Sequence, residues 1–353
     1  MKTLNLVMIV KNEERCLSRC LESVKSLVDD IIIADTGSSD STKEIALSFG
    51  AKIFDYTWKN DFSDARNFAL SKSDSDWNLI LDADEYLTKG SRKDILEFLK
   101  NKEQLGAIQI KSSYMDKDEI NYAVAYMIRL IPKGIGFTRK IHEQVDSDLP
   151  IIKLPLNFGH DGYLLPNKGD RNLPILLDEL KDKPGDSYLL YQTAITLKNM
   201  SNFKEASTYF DKFYSLANKN LSYYRSCIIE YIYTLIEINN FEKALKIVEE
   251  VKIFFEEYAD FNFLCGIFYM QLILSDIVKY QNYLPLIENS YLKCLEIGEI
   301  PEHQGVYGCG SFKASYNLGT WYEVSGNLQL AKKYYELSAK SGYNPAVYRL
   351  KEI

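Results

Sequence analysis

Long apolar runs are missing from this sequence, and so are stretches rich in lysine and arginine. Charged residues break the apolar segments before they reach the roughly 20 residues of a membrane-spanning helix. The apolar run at residues 1–10 is too short for a signal peptide. With a net charge of −7, the chain is not expected to have nucleic acid as its main partner. These absences predict a cytoplasmic protein without a transmembrane segment.

Cysteine and histidine are few, which limits the kinds of metal site that the chain can build. The six cysteines are scattered, most of them in apolar runs, and none shows the spacing of a zinc site. We therefore expect buried, reduced thiols. Two of the three histidines, His142 and His160, lie in the first half of the chain beside acidic residues, which makes both positions candidates for a functional site.

Strand and helix patterns alternate at the start of the chain. Apolar runs typical of buried strands lie at residues 4–10, 31–34, 51–56 and 77–81, with apolar positions at helical spacing between them. Residues 107–110 and 123–130 look like further strands. Short alternating units of this kind predict a mostly parallel sheet with helices on both faces, a Rossmann-like arrangement. We expect this α/β domain to occupy residues 1–170.

After Pro166 the pattern becomes helical, with small and aromatic residues recurring to the end of the chain. The last unit combines Leu318-Gly319, Tyr322, Ala331 and Tyr335, a spacing typical of a tetratricopeptide repeat (TPR). Less regular units precede it. The sequence therefore predicts a TPR-like all-α solenoid at residues 171–353, and such solenoids often bind peptides along their concave face.

Acidic residues stand where two of the predicted strands end. Asp35 follows the second strand, and Asp82-Ala83-Asp84 follows the fourth. Ligands of α/β sheets bind beyond the carboxyl ends of the strands, and Mg²⁺ or Mn²⁺ prefers one or two carboxylates together with phosphate oxygens and water. Asp84 is the candidate metal ligand, Asp82 faces a ribose or a metal-bound water, and Asp35 accepts from a base or a ribose. The structural alternative is that these residues cap turns and helices.

Three further residues complete the candidate site. Arg66 lies in a predicted helix, from which it could reach the base or a phosphate of a nucleotide. Glu143 is the candidate base for the proton of an acceptor, and His160 is the candidate second metal ligand. Each also has a structural interpretation: a solvated arginine on a helix face, an ion pair of Glu143 with Arg139 or Lys140, and a hydrogen-bonded histidine in a turn.

Six short stretches between residues 3 and 165 match one known family in order. They are Met8-Ile9-Val10-Lys11-Asn12-Glu13-Glu14, Asp35-Thr36-Gly37-Ser38-Ser39-Asp40-Ser41-Thr42, Trp58 with Asp61-Phe62-Ser63-Asp64-Ala65-Arg66-Asn67, Leu81-Asp82-Ala83-Asp84-Glu85, Ile141-His142-Glu143, and His160 with Gly162-Tyr163. Together they resemble the family-2 glycosyltransferases of the GT-A fold. With the helical repeats, the chain resembles the branch that includes sublancin-type peptide S-glycosyltransferases, which glucosylate a cysteine of a bacteriocin precursor.

The resemblance implies an inverting glycosyltransferase that moves a sugar, glucose by default, from a UDP-sugar to a Cys or Ser/Thr side chain of a peptide or protein. It implies Mn²⁺ or Mg²⁺ as the cofactor, Asp84 and His160 near the metal, and Glu143 as the base. The residues that it implies for nucleotide-sugar binding are Val10, Asn12, Glu13, Asp35, Arg66, Asp82, Ala83, Asp84 and His142. The peptide acceptor is expected to bind through the repeats.

Two features depart from the family pattern. Sublancin-type enzymes carry an extra segment before the first strand that is linked to their dimer, whereas this chain starts at the strand. An oligomer is therefore possible but not implied. Thr138-Arg139-Lys140 precede His142 where the family usually has a glycine, so we expect an acceptor site of different shape.

Other functions fit the sequence less well. A nucleotidyltransferase usually needs a Gly-rich loop with a basic residue after the first strand, where this chain has Lys11-Asn12-Glu13-Glu14. A processive polysaccharide synthase would need membrane spans. The non-enzymatic alternative is a repeat scaffold with an inactive transferase domain. Within the enzyme hypothesis, the alternative acceptor is a cell-surface glycan or a lipid-linked sugar.

Overall fold

The computed structural model describes residues 2–116, 119–163, 169–300, 303 and 305–353. The chain forms two compact units, Met1–Glu179 and Leu180–Ile353. Pro166, where the sequence pattern changes, lies outside the described residues. The division into domains at residues 1–170 and 171–353 stays a prediction.

The first unit is built on a mixed eight-stranded sheet. Its strands are β1 (Leu4–Val10), β2 (Asp30–Asp35), β3 (Lys52–Asp55), β4 (Trp77–Ile80), β5 (Glu85–Lys89), β6 (Leu105–Asp116), β7 (Glu119–Pro132) and, after a separate ribbon of β8 (Phe137–Thr138) and β9 (Gln144–Val145), β10 (Ile151–Tyr163). Their order across the sheet is β3-β2-β1-β4-β7-β6-β10-β5. The first four strands are parallel, as predicted, and β7 and β5 run antiparallel to their neighbours.

Helices cover both faces of this sheet. They are α1 (Leu17–Val24), α2 (Thr42–Ser48) and α3 (Phe62–Leu70). In β1, Leu6 and Met8 join an apolar cluster with α1, whereas Val7 joins a second cluster with Ala65 of α3. Because side chains on both faces are buried, consecutive positions of the strand are apolar. The parallel strands β1, β2 and β4 then end at the same edge, where the acidic residues follow.

The second unit is all-helical in its described residues. It follows α4 (Gly169–Asp182) and contains α5 (Ser187–Asn199), α6 (Phe203–Leu216), α7 (Tyr224–Glu237), α8 (Phe241–Phe255), α9 (Ala259–Ser275), α10 (Ile277–Tyr280), α11 (Leu284–Ile297), α12 (Phe312–Val324), α13 (Leu328–Ala339) and α14 (Asn344–Arg349). The helices pack as the pairs α5–α6, α7–α8, α9–α11 and α12–α13. This is the repeated helix pair that the sequence predicts.

Two glycines allow close packing within these pairs. A Cβ on Gly266 of α9 would lie 2.5 Å from the ring of Tyr291 in α11, and a Cβ on Gly319 of α12 would lie 2.8 Å from the ring of Tyr335 in α13. Both tyrosines are buried. A ring fixed in a core cannot yield to an added methyl group without moving the helices apart. Gly319, which helps to identify the last repeat in the sequence, is therefore required by packing, and so is Gly266.

The structure bears on two further expectations. No helix in the described part of the chain is both long and apolar enough to cross a lipid bilayer. The six cysteines are free thiols, and all but Cys16 are buried. Burial raises the pKa of Cys265 to about 12, which makes this thiol inert at neutral pH. The cytoplasmic location stays a prediction.

Replacing Gly266 by alanine should destabilise the helical unit. Overpacking against Tyr291 outweighs the gain in helix propensity, so we expect a net loss of roughly 1–2 kcal/mol in the free energy of unfolding. Denaturant unfolding followed by circular dichroism measures the change. The matched control is Gly185→Ala, since a Cβ there meets nothing within 4 Å. Equal stability of the two variants would contradict the packing role of Gly266.

Candidate functional site

A cleft of about 320 Å³ opens beyond the carboxyl ends of β1 and β4. Eight of the predicted site residues line it: Val10, Glu13, Arg66, Asp82, Ala83, Asp84, His142 and Glu143. Asn12, Asp35 and His160 do not line the cleft. Asn12 and Asp35 are chain neighbours of lining residues, and His160 contacts Asp84. The structure therefore brings together residues that the sequence separates by more than a hundred positions.

Arg66 is buried and holds two carboxylates. Asp61 caps the start of α3 by accepting a hydrogen bond from the backbone N–H of Asp64, and the helix presents Arg66 to the cleft. Its Nε donates to Oε1 of Glu143 at 2.5 Å and its Nη2 donates to Oδ1 of Asp82 at 2.7 Å. Burial opposes the charged form, but these carboxylates raise the pKa of Arg66 on balance.

These contacts correct two structural alternatives from the sequence. Arg66 is not a solvated arginine on a helix face, because its side chain is only 7% exposed. The ion-pair partner of Glu143 is Arg66, and Lys140 pairs instead with Asp178 at 2.9 Å. The charge of Arg66 is thus matched by carboxylates of the protein itself.

Arg129 belongs to the site and was not predicted. It donates to Oδ2 of Asp82 at 3.1 Å and forms a short ion pair with Glu85. The register of β7 against β6 shifts here, since Leu130 pairs with Gly106 and Ile128 with Ala107, which makes Arg129 the extra residue of a β-bulge. A bulge can turn a side chain away from its regular direction, and here it permits the contact with Asp82. The one available signal was a charged residue inside an apolar strand.

Asp84 and His160 meet at one edge of the sheet. The antiparallel pairing of β5 with β10 sets His160 opposite Glu85. His160 Nε2 lies 3.4 Å from Asp84 Oδ2, and His160 Nδ1 lies 3.0 Å from Ser112 Oγ. Burial alone would lower the pKa of His160, but the Asp84 carboxylate raises it on balance. The neighbouring Gly159 is required, since a Cβ there would lie 2.5 Å from the Tyr86 ring.

The Asp84–His160 pair fits a divalent cation that takes only part of its ligands from protein. Neighbouring ligands of an octahedral Mg²⁺ lie about 3 Å apart, close to the observed 3.4 Å. No group of three or more His, Cys, Asp or Glu side chains within the described ranges could hold a metal alone. Asp82, Asp84, Glu85 and Glu143 also outnumber the two buried guanidinium groups that contact this set, so a cation at Asp84 would offset excess negative charge.

Asp35 is buried at the end of β2. Its Oδ2 accepts from the backbone N–H groups of Gly37 and Ser38 at 3.1 and 3.0 Å, while its Oδ1 is buried and accepts no hydrogen bond from a described residue. Although burial opposes it, hydrogen bonds from Ser38 and Gly37 lower the pKa of Asp35 on balance, with help from Lys43. The ionised Oδ1 therefore keeps an unused capacity to accept a hydrogen bond.

Asn12 forms hydrogen bonds between the loops that follow β1 and β2. Its backbone N–H donates to Ser38 Oγ at 3.0 Å, and its Oδ1 accepts from the backbone N–H of Ser39 at 2.8 Å. Its φ of +56° is a left-handed conformation, which asparagine tolerates better than most residues. Asn12 thus joins the loop after β1 to the loop after β2, and this contact shapes the wall of the cleft.

His142 lies in a strained segment before β9. Its φ is +50°, and that of Arg139 is +76°. Burial lowers the pKa of His142, so the ring is neutral near pH 7. The backbone N–H of Phe62 donates to the carbonyl of Lys140 at 2.7 Å, and the Ser63 hydroxyl donates to the carbonyl of Arg139. The first turn of α3 therefore holds this segment against the cleft.

The cleft also has an aromatic wall and a second arginine at its rim. Trp58 and Phe62 pack edge to face with ring centroids 4.8 Å apart. Arg171 and Asn172, at the start of α4, line the same cleft. The sequence did not single out these two residues, because α4 begins after the last matching stretch and carries no motif.

Comparison with known proteins is consistent with this geometry. Residues 6–148 match the model of glycosyl transferase family 2. The chain is 33% identical to a TPR repeat-containing protein of Synechococcus elongatus, over 58% of this chain and 55% of that protein. It is 36% identical to an uncharacterized glycosyltransferase of Rickettsia typhi, over 47% and 58% of the two chains.

A third relative is the SPbeta prophage-derived glycosyltransferase SunS of Bacillus subtilis. The identity is 28% over 60% of this chain and 53% of that protein. The matches therefore span somewhat more than half the length of these relatives. The strand order and the acidic strand ends agree with the family match, so the first unit of this chain is similar to glycosyl transferase family 2 over residues 6–148.

Proposed function

We propose that this protein is an inverting, metal-dependent glycosyltransferase that uses a UDP-sugar, with glucose as the default sugar. The observation that carries the proposal is the contact of Asp84 with His160 at the edge of a cleft that also holds Glu143. A carboxylate and an imidazole suit Mn²⁺ or Mg²⁺ shared with a diphosphate. The match of residues 6–148 to the model of glycosyl transferase family 2 supports the same reaction class.

The donor nucleotide would be recognised by Asp35. Its buried Oδ1, which accepts no hydrogen bond from a described residue, would accept from the N–H of uracil or from a ribose hydroxyl. The contact of Arg66 with the nucleotide stays a prediction: Arg66 lines the cleft, and its hydrogen bonds in the structure go to Asp82 and Glu143. We assign it to holding these two carboxylates in place.

Glu143 would act as the base. Its Oε1 accepts from Arg66, and its Oε2 forms no hydrogen bond with a described residue, which leaves it available to the acceptor. As the acceptor oxygen or sulfur attacks the anomeric carbon, Glu143 would take its proton. The bond between that carbon and the diphosphate oxygen would break, and its electron pair would stay on the oxygen. A bound divalent cation would supply positive charge for the leaving diphosphate.

The acceptor would be a cysteine or a Ser/Thr side chain of a peptide. The second unit has a groove of about 580 Å³ between α8, α9 and α11. Lys252 and Asn289 line it and are exposed, so their amide and ammonium groups could bind the backbone of an extended peptide. The resemblance of the sequence to sublancin-type peptide S-glycosyltransferases supports a peptide acceptor over the alternatives, a cell-surface glycan or a lipid-linked sugar.

Changing Asp84 to alanine should abolish metal-dependent donor binding. We expect the Mn²⁺-dependent part of the UDP affinity to fall by more than roughly tenfold, because one of two protein ligands is lost. Calorimetric titration with UDP, with Mn²⁺ and then with EDTA, measures this part. Asp74→Ala is the control, as Asp74 is fully exposed outside the cleft. Unchanged metal dependence in the Asp84 variant would exclude it as a ligand.

Changing Glu143 to glutamine should separate binding from turnover. The amide oxygen can still accept from Arg66, so UDP-sugar binding should persist. The rate of transfer should fall about 100- to 10,000-fold with loss of the base. Release of UDP from UDP-glucose in the presence of acceptor measures the rate. Glu97→Gln, on the exposed surface, is the control. A Glu143 variant that turns over normally would place the base elsewhere.

Acceptor binding should depend on the groove of the helical unit. In a library of peptides with Cys, Ser or Thr, mass spectrometry should find products carrying one added hexose. Lys252→Ala with Asn289→Ala should raise the KM for such a peptide severalfold and leave UDP binding unchanged, since each lost hydrogen bond to a charged or polar partner costs about 1 kcal/mol. Lys246→Ala, on the same helix and outside the groove, is the control. Transfer to lipid extracts or glycans alone would favour the other acceptor.

A further inference from the structure

Arg171 is a cation of the cleft that the contacts described above leave unexplained. Its guanidinium carbon lies 5.0 Å from the centroid of the Phe62 ring, and its Nε donates to Oδ1 of Asn172 at 3.0 Å. The two terminal nitrogens form no hydrogen bond or ion pair with a residue that the structure describes. Stacking and one hydrogen bond thus orient the guanidinium, and its terminal N–H groups are left for a ligand.

The other basic side chains of the cleft differ from Arg171. Arg66 forms ion pairs with Asp82 and Glu143. Lys11 lines the cleft and is exposed, but an ammonium group on a flexible stem offers no planar pair of donors. Arg171 alone of these three combines an orienting contact with available terminal nitrogens.

The charges of the cleft favour a cation at this position for the binding of a diphosphate. Glu13, Asp82, Asp84 and Glu143 line the cleft, and Arg66 pairs with only two of these four carboxylates. A divalent cation at Asp84 would offset part of this negative charge. A guanidinium group binds phosphate oxygens through two parallel hydrogen bonds, which gives both charge and geometry. Arg171 supplies this chemistry from the rim, while both buried arginines are paired with protein carboxylates.

We propose that Arg171 binds the diphosphate of the nucleotide-sugar donor through its two terminal nitrogens. This inference rests on the proposed function and adds a residue to its donor site. When the bond from the sugar to the diphosphate breaks, the electron pair stays on the diphosphate oxygen and the acceptor proton passes to Glu143. Arg171 offsets the added negative charge and exchanges no proton.

The test is a set of titrations on the full chain. Wild type, Arg171→Ala and Arg171→Lys are titrated with uridine, UMP, UDP and inorganic pyrophosphate, each with Mn²⁺ and with EDTA. Arg171→Ala should lose about 10- to 100-fold in affinity for UDP and pyrophosphate, as expected for a hydrogen-bonded charge pair. Uridine affinity should be unchanged, and the lysine variant should regain part of the loss.

The control is Arg15→Ala, which removes an exposed arginine of the same unit that does not line the cleft. It should bind all four probes as wild type does. Equal affinities of wild type and Arg171→Ala for UDP and pyrophosphate would overturn the inference. An equal loss for uridine would also overturn it, because the effect would then not be on the diphosphate.

The pyrophosphate titration separates this inference from the proposed function. If wild type binds pyrophosphate but not UDP, the choice of donor is wrong, and the comparison with Arg171→Ala still decides the anion site. If wild type binds neither probe, both the donor site and the role of Arg171 are contradicted. Thermal unfolding of each variant confirms that it is folded, and the exposed position of Arg171 makes retention of the fold the expected result.

Discussion

Two buried guanidinium groups hold the cleft together. Arg66 and Arg129 bind Asp82, Glu85 and Glu143 between them. The desolvation of such a network offsets most of its attraction, so its net contribution to stability is small. Loss of one partner, in contrast, leaves an uncompensated buried charge, at a cost of about 3–5 kcal/mol. The network therefore fixes the relative positions of the elements that form the cleft. These elements are α3, the end of β4, the start of β5, β7 and the segment before β9.

The segment before β9 shows what this arrangement costs. Arg139 has a φ of +76° where the related family usually has a glycine nearby. A left-handed conformation costs a residue with a Cβ roughly 1–2 kcal/mol. The first turn of α3 compensates, since Phe62 and Ser63 donate hydrogen bonds to the carbonyls of Lys140 and Arg139. The segment keeps Glu143 beside Arg66 even without the glycine, because these tertiary hydrogen bonds stabilise a backbone conformation that the local sequence does not favour.

The site divides into a part that local sequence patterns reveal and a part that they do not. Asp35 and Asp82 stand at the ends of strands. Buried parallel strands can be recognised in the sequence because both of their faces are apolar. Arg129 was missed because its direction depends on a β-bulge, which arises from the pairing of β6 with β7 rather than from either strand alone. Arg171 was missed because α4 reaches the cleft only through the fold.

The sequence by itself determined the two kinds of architecture, the strand-end acids and the small residues of the repeats, because each of these follows from spacing along a short segment. Gly319 and the acidic strand ends lie where that spacing puts them. Only the tertiary structure decided that His160 faces Asp84, since this contact needs β10 to pair antiparallel with β5 in one register. A shift of one residue would turn His160 to the other face of the sheet. Register between strands so distant in the chain is set by the packing of the whole sheet, and no local pattern contains it.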